Sequence, residues 1–222
     1  MSRHARVCPA GYAYHVMNRG AFQQELFATS IDYQIFEELI FLTQEKIPIR
    51  ICAYCIMPNH WHLVLWPSED KQLSQFMHCL TSTHVQKIKK HWEIKSLGSI
   101  YQGRYKSCLV ESSEYYLNLV KYVEANPLRA KLVARAENWT WSSLPKRLSL
   151  SKDLSPFSSP IKLPKNWVAM VNQDLSSNQI SNLRNSINKG SPYGEKSWIS
   201  QISETLNLSH TLNMPGRPRS NS

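Results

Sequence analysis

The sequence predicts an α+β fold: a ferredoxin-like βαββαβ antiparallel sheet with an added tyrosine-bearing helix, then a small helical C-terminal extension. Three observations predict it. Four stretches, 11–19, 47–57, 60–66 and 101–111, have the length and apolar or β-branched content of strands. Two helical stripes, at 30–43 and 73–88, fall between the first and second strands and between the third and fourth, which is the split-βαβ order. Beyond residue 148 the chain turns rich in Ser, Pro and Lys, the mark of a linker. In the usual arrangement the first and third strands are central and the helices cover one face.

Each element has its own signal. In the first strand Tyr12, Tyr14 and Val16 share a face. Thr29 or Ser30 caps the first helix, Asp32 sits in its first turn, and Tyr33, Phe36, Leu39, Ile40 and Thr43 follow helical spacing. Pro58-Asn59 is a turn between the second and third strands. The third, His60-Trp-His-Leu-Val-Leu-Trp66, is apolar on both faces, which suits the inside of a sheet. Leu73, Met77, Leu80, His84 and Ile88 form the stripe of the second helix, leaving Lys87, Lys89 and Lys90 on its solvated side. Ser112 caps a third helix over 113–125, ended by Asn126-Pro127. The expected division is a main domain over 1–148, a linker over 149–174 and a helical extension over 175–222. That extension holds weak helical patterns at Gln179–Ile187 and Lys196–Leu206, and a basic, disordered Gly216-Arg217-Pro218-Arg219 tail.

Composition narrows the function class. The 222 residues carry 26 Lys+Arg against 16 Asp+Glu, a net charge of +10, and 42% hydrophobic residues. That excludes a disordered tail and favours a polyanionic partner. The excess is local: residues 71–110 hold seven basic side chains against one acid, and 151–222 eight against four, whereas 1–50 are balanced at five each. No apolar run approaches the ~18 residues of a membrane span. No hydrophobic stretch follows the starting Met-Ser-Arg-His-Ala-Arg. Five scattered cysteines argue against a secreted disulfide framework and for a reducing cytoplasm.

Several residues could carry chemistry. His60 and His62, two apart in a strand, project together and could bind one divalent ion, or be a structural pair. Tyr122 and Asn126, four apart on a helix, share a face. A phenolic oxygen there could attack phosphorus while the amide oxygen serves a metal, or they could be a half-buried tyrosine and an ordinary helix stop. Cys52 and Cys55 lack a second cysteine pair and read as core. In Tyr101-Gln-Gly-Arg104-Tyr105-Lys106 rings alternate with cations, as in single-strand binders or an ordinary amphipathic strand. Arg217 and Arg219 look like the core of a minor-groove arm or a solvated tail.

Together these pieces resemble the REP-associated tyrosine transposases, a branch of the single-tyrosine HUH (IS200-like) transposases. Tyr14-His-Val-Met-Asn-Arg-Gly20 is similar to the family's first strand. Ala53-Tyr-Cys-Ile-Met-Pro-Asn-His-Trp-His-Leu-Val64 is similar to its His-hydrophobic-His strand, and Tyr101-Gln-Gly-Arg-Tyr-Lys106 to the strand after it. Tyr122-Val-Glu-Ala-Asn-Pro-Leu-Arg-Ala130 is similar to its tyrosine helix. The resemblance spans roughly 5–145, with a weaker echo of some members' C-terminal extension in Ser191-Pro-Tyr-Gly194 and the basic tail. The sequence departs from the common pattern at Glu124, at Ala125 and at Lys131, where Gly is frequent.

The resemblance implies that 1–148 is the catalytic domain, cutting and rejoining single-stranded hairpin DNA through a 5′-phosphotyrosine. It implies Tyr122 as nucleophile, Tyr115 and Tyr116 lying too early. It implies His60, His62 and Asn126 as ligands of Mg²⁺ or Mn²⁺. Lys87, Lys89, Lys90, Arg104, Tyr105, Lys106, Arg129, Lys131, Arg217 and Arg219 are candidates for holding DNA. The expected setting is the bacterial cytoplasm, at the nucleoid, as a monomer or homodimer with no membrane partner. Two rivals stay open: a non-catalytic hairpin DNA- or RNA-binding protein on the same fold, and an HUH replication or plasmid nickase.

Overall fold

The computed structural model describes residues 7–93, 98–149, 157 and 160–212. Four strands, β1 (Ala13–Arg19), β2 (Arg50–Met57), β3 (His60–Trp66) and β4 (Lys106–Val110), form one antiparallel sheet in the order β2-β3-β1-β4. The expected central strands are therefore the central strands. Pro58-Asn59 makes the tight turn, because Met57 pairs directly with His60.

Strand alternation sorts side chains between two layers. Tyr14, Val16, Trp61, Leu63 and Leu65 point to one face, against α1 (Ser30–Lys46) and α2 (Gln72–His91), which supply Phe36, Leu73, Phe76 and Leu80. At the start of α1, Thr29 and Asp32 cap each other reciprocally. The expectation put helices on one face, yet the opposite face is covered as well. Ala13, Cys55, Met57 and Val64 pack there under α3 (Glu114–Glu124), α6 (Trp167–Val171) and α7 (Ser177–Lys189). The physical reason is in the strands: β2 and β3 are apolar on both sides, so one layer of helices would leave apolar surface in water.

Other boundaries shift. β4 starts at Lys106, not 101: Tyr101 makes a single bridge to Gly20, and the chain bends before rejoining the sheet. Ser113, not Ser112, caps α3 by accepting from the Tyr115 amide. Asn126-Pro127 ends that helix as expected, its last helical residue being Glu124. A further turn, α4 (Asn126–Arg129), begins after Ala125. Glu124, a departure from the family pattern, is fully buried on the side of α3 away from Tyr122. It accepts from Ser143, from Arg147 of α5 (Ser143–Ser149), and from the Trp167 indole at 2.7 Å. Lys131 has φ 56°, the left-handed region that explains why Gly suits the position.

The expected linker holds α6, with Trp167 and Val171 buried. Both helical patterns of the extension are real, as α7 and as α8 (Lys196–Thr205). Tyr193 donates to the Leu109 carbonyl and accepts from the Glu111 amide, closing the outer edge of β4. The tail with Arg217 and Arg219 lies outside the described residues. Among those described, no helix is long and apolar enough to cross a membrane.

Candidate active site

A cleft of about 490 Å³ opens on the α3 face of the sheet. Its walls come from β1 (Met17, Arg19), β3 (His60, His62), the bend before β4 (Gln102, Gly103, Arg104), the start of β4 (Lys106), the tyrosine helix and its extra turn (Tyr122, Asn126, Arg129), and α7 (Arg184, Asn188). Five of these side chains are cationic and none is a carboxylate, so the cleft suits an anion.

The sheet register sets the base of the site. Met17 pairs with His62 and Arg19 with His60, so both imidazoles rise on the cleft side. His60 Nδ1 lies 2.7 Å from Asn59 Oδ1, and Asn59 Nδ2 in turn reaches the Gln23 carbonyl. That fixes the amide, so His60 Nδ1 donates and Nε2 carries the lone pair. His62 Nδ1 lies 2.9 Å from Nε2 of His15, a fully buried side chain on β1. The Tyr122 ring closes the group, 5.9 Å from both His15 and His62.

Burial lowers the pKa of His15 to about 3 and of His60 to about 4, the latter helped by Arg19 and Arg129, and puts that of His62 well below the usual value. All three are neutral at neutral pH, as ligand imidazoles must be.

The break at Pro127 shapes the other wall. Proline has no N–H, so the Val123 carbonyl loses its helical donor, and Asn126 Nδ2 takes that place at 3.3 Å. Arg129 folds back across the break. Its Nη2 donates to the Tyr122 carbonyl at 2.8 Å and to Asn126 Oδ1 at 2.7 Å, and its guanidinium carbon sits 4.2 Å from the Tyr122 ring centre. Arg129 Nη1 is buried without a partner. Burial lowers the pKa of Arg129, and Tyr122 opposes the shift.

The donor set fits a divalent ion. His60 and His62 each commit Nδ1 to the protein and keep Nε2, and Asn126 Oδ1 keeps one of its two lone pairs. Among the described residues, no three His, Cys, Asp or Glu side chains group to hold a metal, so the third protein ligand would be the amide.

Comparisons with known proteins bear on this site. The family model "Transposase IS200 like" matches residues 9–126, more than half of the chain, from β1 to Asn126. This chain belongs to the IS200-like transposase family. A solved structure of a REP-associated tyrosine transposase bound to a REP hairpin is similar at 18% identity. It covers 80% of this chain and 100% of its own, with a TM-score of 0.55, and shares the fold. A candidate transposase from Deinococcus radiodurans R1 is similar at 14% identity, covering 56% of this chain and 95% of its own, with a TM-score of 0.40. No curated protein matches.

In this family member the cleft gathers His60, His62, Tyr122, Asn126, Arg104, Lys106 and Arg129 from the residues singled out in the sequence. Tyr116 is buried against Trp66 and Tyr115 packs on Tyr193, so neither reaches the cleft. Tyr105 points to the other face, buried beside Ser74. Lys87, Lys89 and Lys90 lie on α2, across the sheet, and Lys131 lies just outside the lining. Sequence reasoning missed three residues. His15 and Arg19 stand within the quoted first-strand motif, and strand parity could have placed them on the cleft face. Arg184, on α7, had no local signal at all.

The neutral histidines link stability to pH. His84, on α2, also has its pKa lowered by burial to about 3. Below about pH 6.5 the unfolded chain binds protons at these four sites that the folded chain refuses, so stability falls with pH from there toward 3–4. We expect the urea midpoint to be level above pH 7 and to drop steadily between 6.5 and 4. A midpoint unchanged down to pH 5 would contradict this assignment.

Proposed function

We propose that this IS200-like transposase cleaves and rejoins single-stranded DNA at hairpin sequences through Tyr122. The observation that carries the reading is the convergence of Tyr122, His60, His62 and Asn126 on one carboxylate-free, cationic cleft. A DNA strand enters along Arg104, Lys106 and Arg184, whose charges meet backbone phosphates. Tyr122 Oη attacks the scissile phosphorus. The phenol proton passes to water, the P–O3′ bond breaks, the 3′ oxygen takes a proton from water and leaves as a hydroxyl, and the 5′ phosphate stays on the tyrosine. A second 3′-OH reverses the step, because the phosphotyrosine diester keeps the reactivity of the bond it replaced.

His60, His62 and Asn126 would hold Mg²⁺ or Mn²⁺, which supplies charge neutralisation and alignment of the phosphate when bound. Arg129, with its unpartnered Nη1, stands ready to meet charge building on the phosphate oxygens. The hairpin recognised in the related solved structure supports a hairpin substrate here.

His15 has a positioning role in this scheme. For His62 to offer Nε2 to a metal, its Nδ1 must carry the proton and donate to His15 Nε2. The opposite tautomer puts hydrogen on the ligating nitrogen. Replacing His15 by Phe removes that acceptor. Mn²⁺ affinity, read by electron paramagnetic resonance of the free ion, should fall about 10–100-fold, and His15→Gln, whose amide oxygen accepts, should fall less. A folded His15→Phe protein with wild-type Mn²⁺ affinity would remove this role.

The reaction itself is tested on a denaturing gel with labelled hairpin DNA and Mn²⁺. A covalent protein–DNA band is expected, absent in Tyr122→Phe and with chelator. Tight hairpin binding with no adduct under any divalent metal would make the chain a binding protein instead.

A further inference from the structure

Phe22 is the most exposed large apolar side chain among the described residues, at 99%. It sits in a short 3-10 turn, Ala21–Gln23, directly after β1. Its φ of 52° lies in the left-handed region, as does that of Gln23 at 63°, which a bulky residue seldom adopts. The turn is nonetheless firmly held. The Gly20 amide donates to the Asn59 carbonyl and the Ala21 amide to the Ile100 carbonyl, both at 2.9 Å, while Asn59 Nδ2 reaches the Gln23 carbonyl. Gly20 is required there: a Cβ would stand 2.3 Å from the Gln24 carbonyl oxygen. A fixed, unfavourable backbone thus presents an aromatic ring that touches nothing in the protein.

Its position gives the ring a use. The segments that clamp the turn are the two that run into the cleft. Asn59 orients His60, and Ile100 leads into Gln102, Gly103 and Arg104. Arg19, at the cleft rim, is three residues before Phe22, at most about 11 Å along an extended chain. The ring therefore stands beside the cationic path, at the end of the sheet where His60 and Arg104 lie. A strand with its phosphates on Arg19 and Arg104 has its bases free to turn outward, and an unpaired base has a face that stacks on any aromatic ring.

We infer that Phe22 is a stacking platform for an unpaired nucleobase of the DNA flanking the hairpin. This rests on the DNA-cleaving reading proposed above. The ring selects for single-stranded character at one position rather than for a particular base, because stacking tolerates all four.

The test uses the full chain with chelator present, so that binding is read without chemistry. Two probes are compared: a DNA hairpin with single-stranded extensions of mixed sequence, and the same hairpin blunt. Phe22→Ala should weaken binding of the extended hairpin about tenfold or more and leave the blunt one unchanged, while Phe22→Trp should hold wild-type affinity. A fluorescent adenine analogue walked along the extension should be quenched at one position by wild type and not by Phe22→Ala. Equal affinities of wild type and Phe22→Ala for both probes overturn the inference alone. An equal loss on both probes also overturns it, as does a sedimentation coefficient altered by the substitution, which would assign the ring to a contact between copies. Wild-type protein that binds neither probe overturns the DNA-cleaving reading and this inference with it.

Discussion

The pairing of β3 between β1 and β2 is the constraint on which the site depends. A strand buried on both faces must be apolar on both, yet β3 carries two imidazoles on one side. They are tolerated because each has a protein partner for Nδ1 and because burial keeps them neutral. The partner of His62 is itself on β1, two places from the residue across from it in the register, so a slip of one residue between the strands would put His15 and His62 on opposite faces and part them. The same register puts Arg19 beside His60 at the open end of the sheet.

The second structural device is the proline break after the tyrosine helix. Arg129 stands seven residues after Tyr122, about two helical turns on along the same face. Pro127 interrupts the backbone ladder, and the groups left unpaired are taken up by the side chains of Asn126 and Arg129. One local defect thus tightens the spacing among three functional residues. The rest of α3 is anchored from behind by Glu124, whose carboxylate is shared by Ser143, Arg147 and Trp167. Removing a partner from such a buried group typically costs about 3–5 kcal/mol, so this anchor holds the tyrosine helix firmly on the sheet.

Much of this was legible in the chain. Strand order followed from element order, and the His-x-His spacing, the Tyr122–Asn126 spacing and the helix stop are local patterns. What escaped was set by tertiary contact. The coverage of the second sheet face could not be read from helices whose stripes are weak or short, such as α6. His15 looked like one more residue of an apolar strand, and its meaning appears only when β1 lies against β3. Arg184 reaches the cleft because α7 packs on β4, a contact between distant parts of the chain. Tyr105 and the α2 lysines lie across the sheet from the cleft, because charge or aromaticity near a motif in sequence says nothing about which side of the sheet it occupies.

The central claim is that Tyr122 is the group that becomes joined to DNA. Digestion of the protein–DNA adduct with nuclease and protease, followed by tandem mass spectrometry, locates the modified residue. The account predicts a nucleotide on the Tyr122 oxygen. A nucleotide on Tyr115, on Tyr116 or on any other side chain would contradict it.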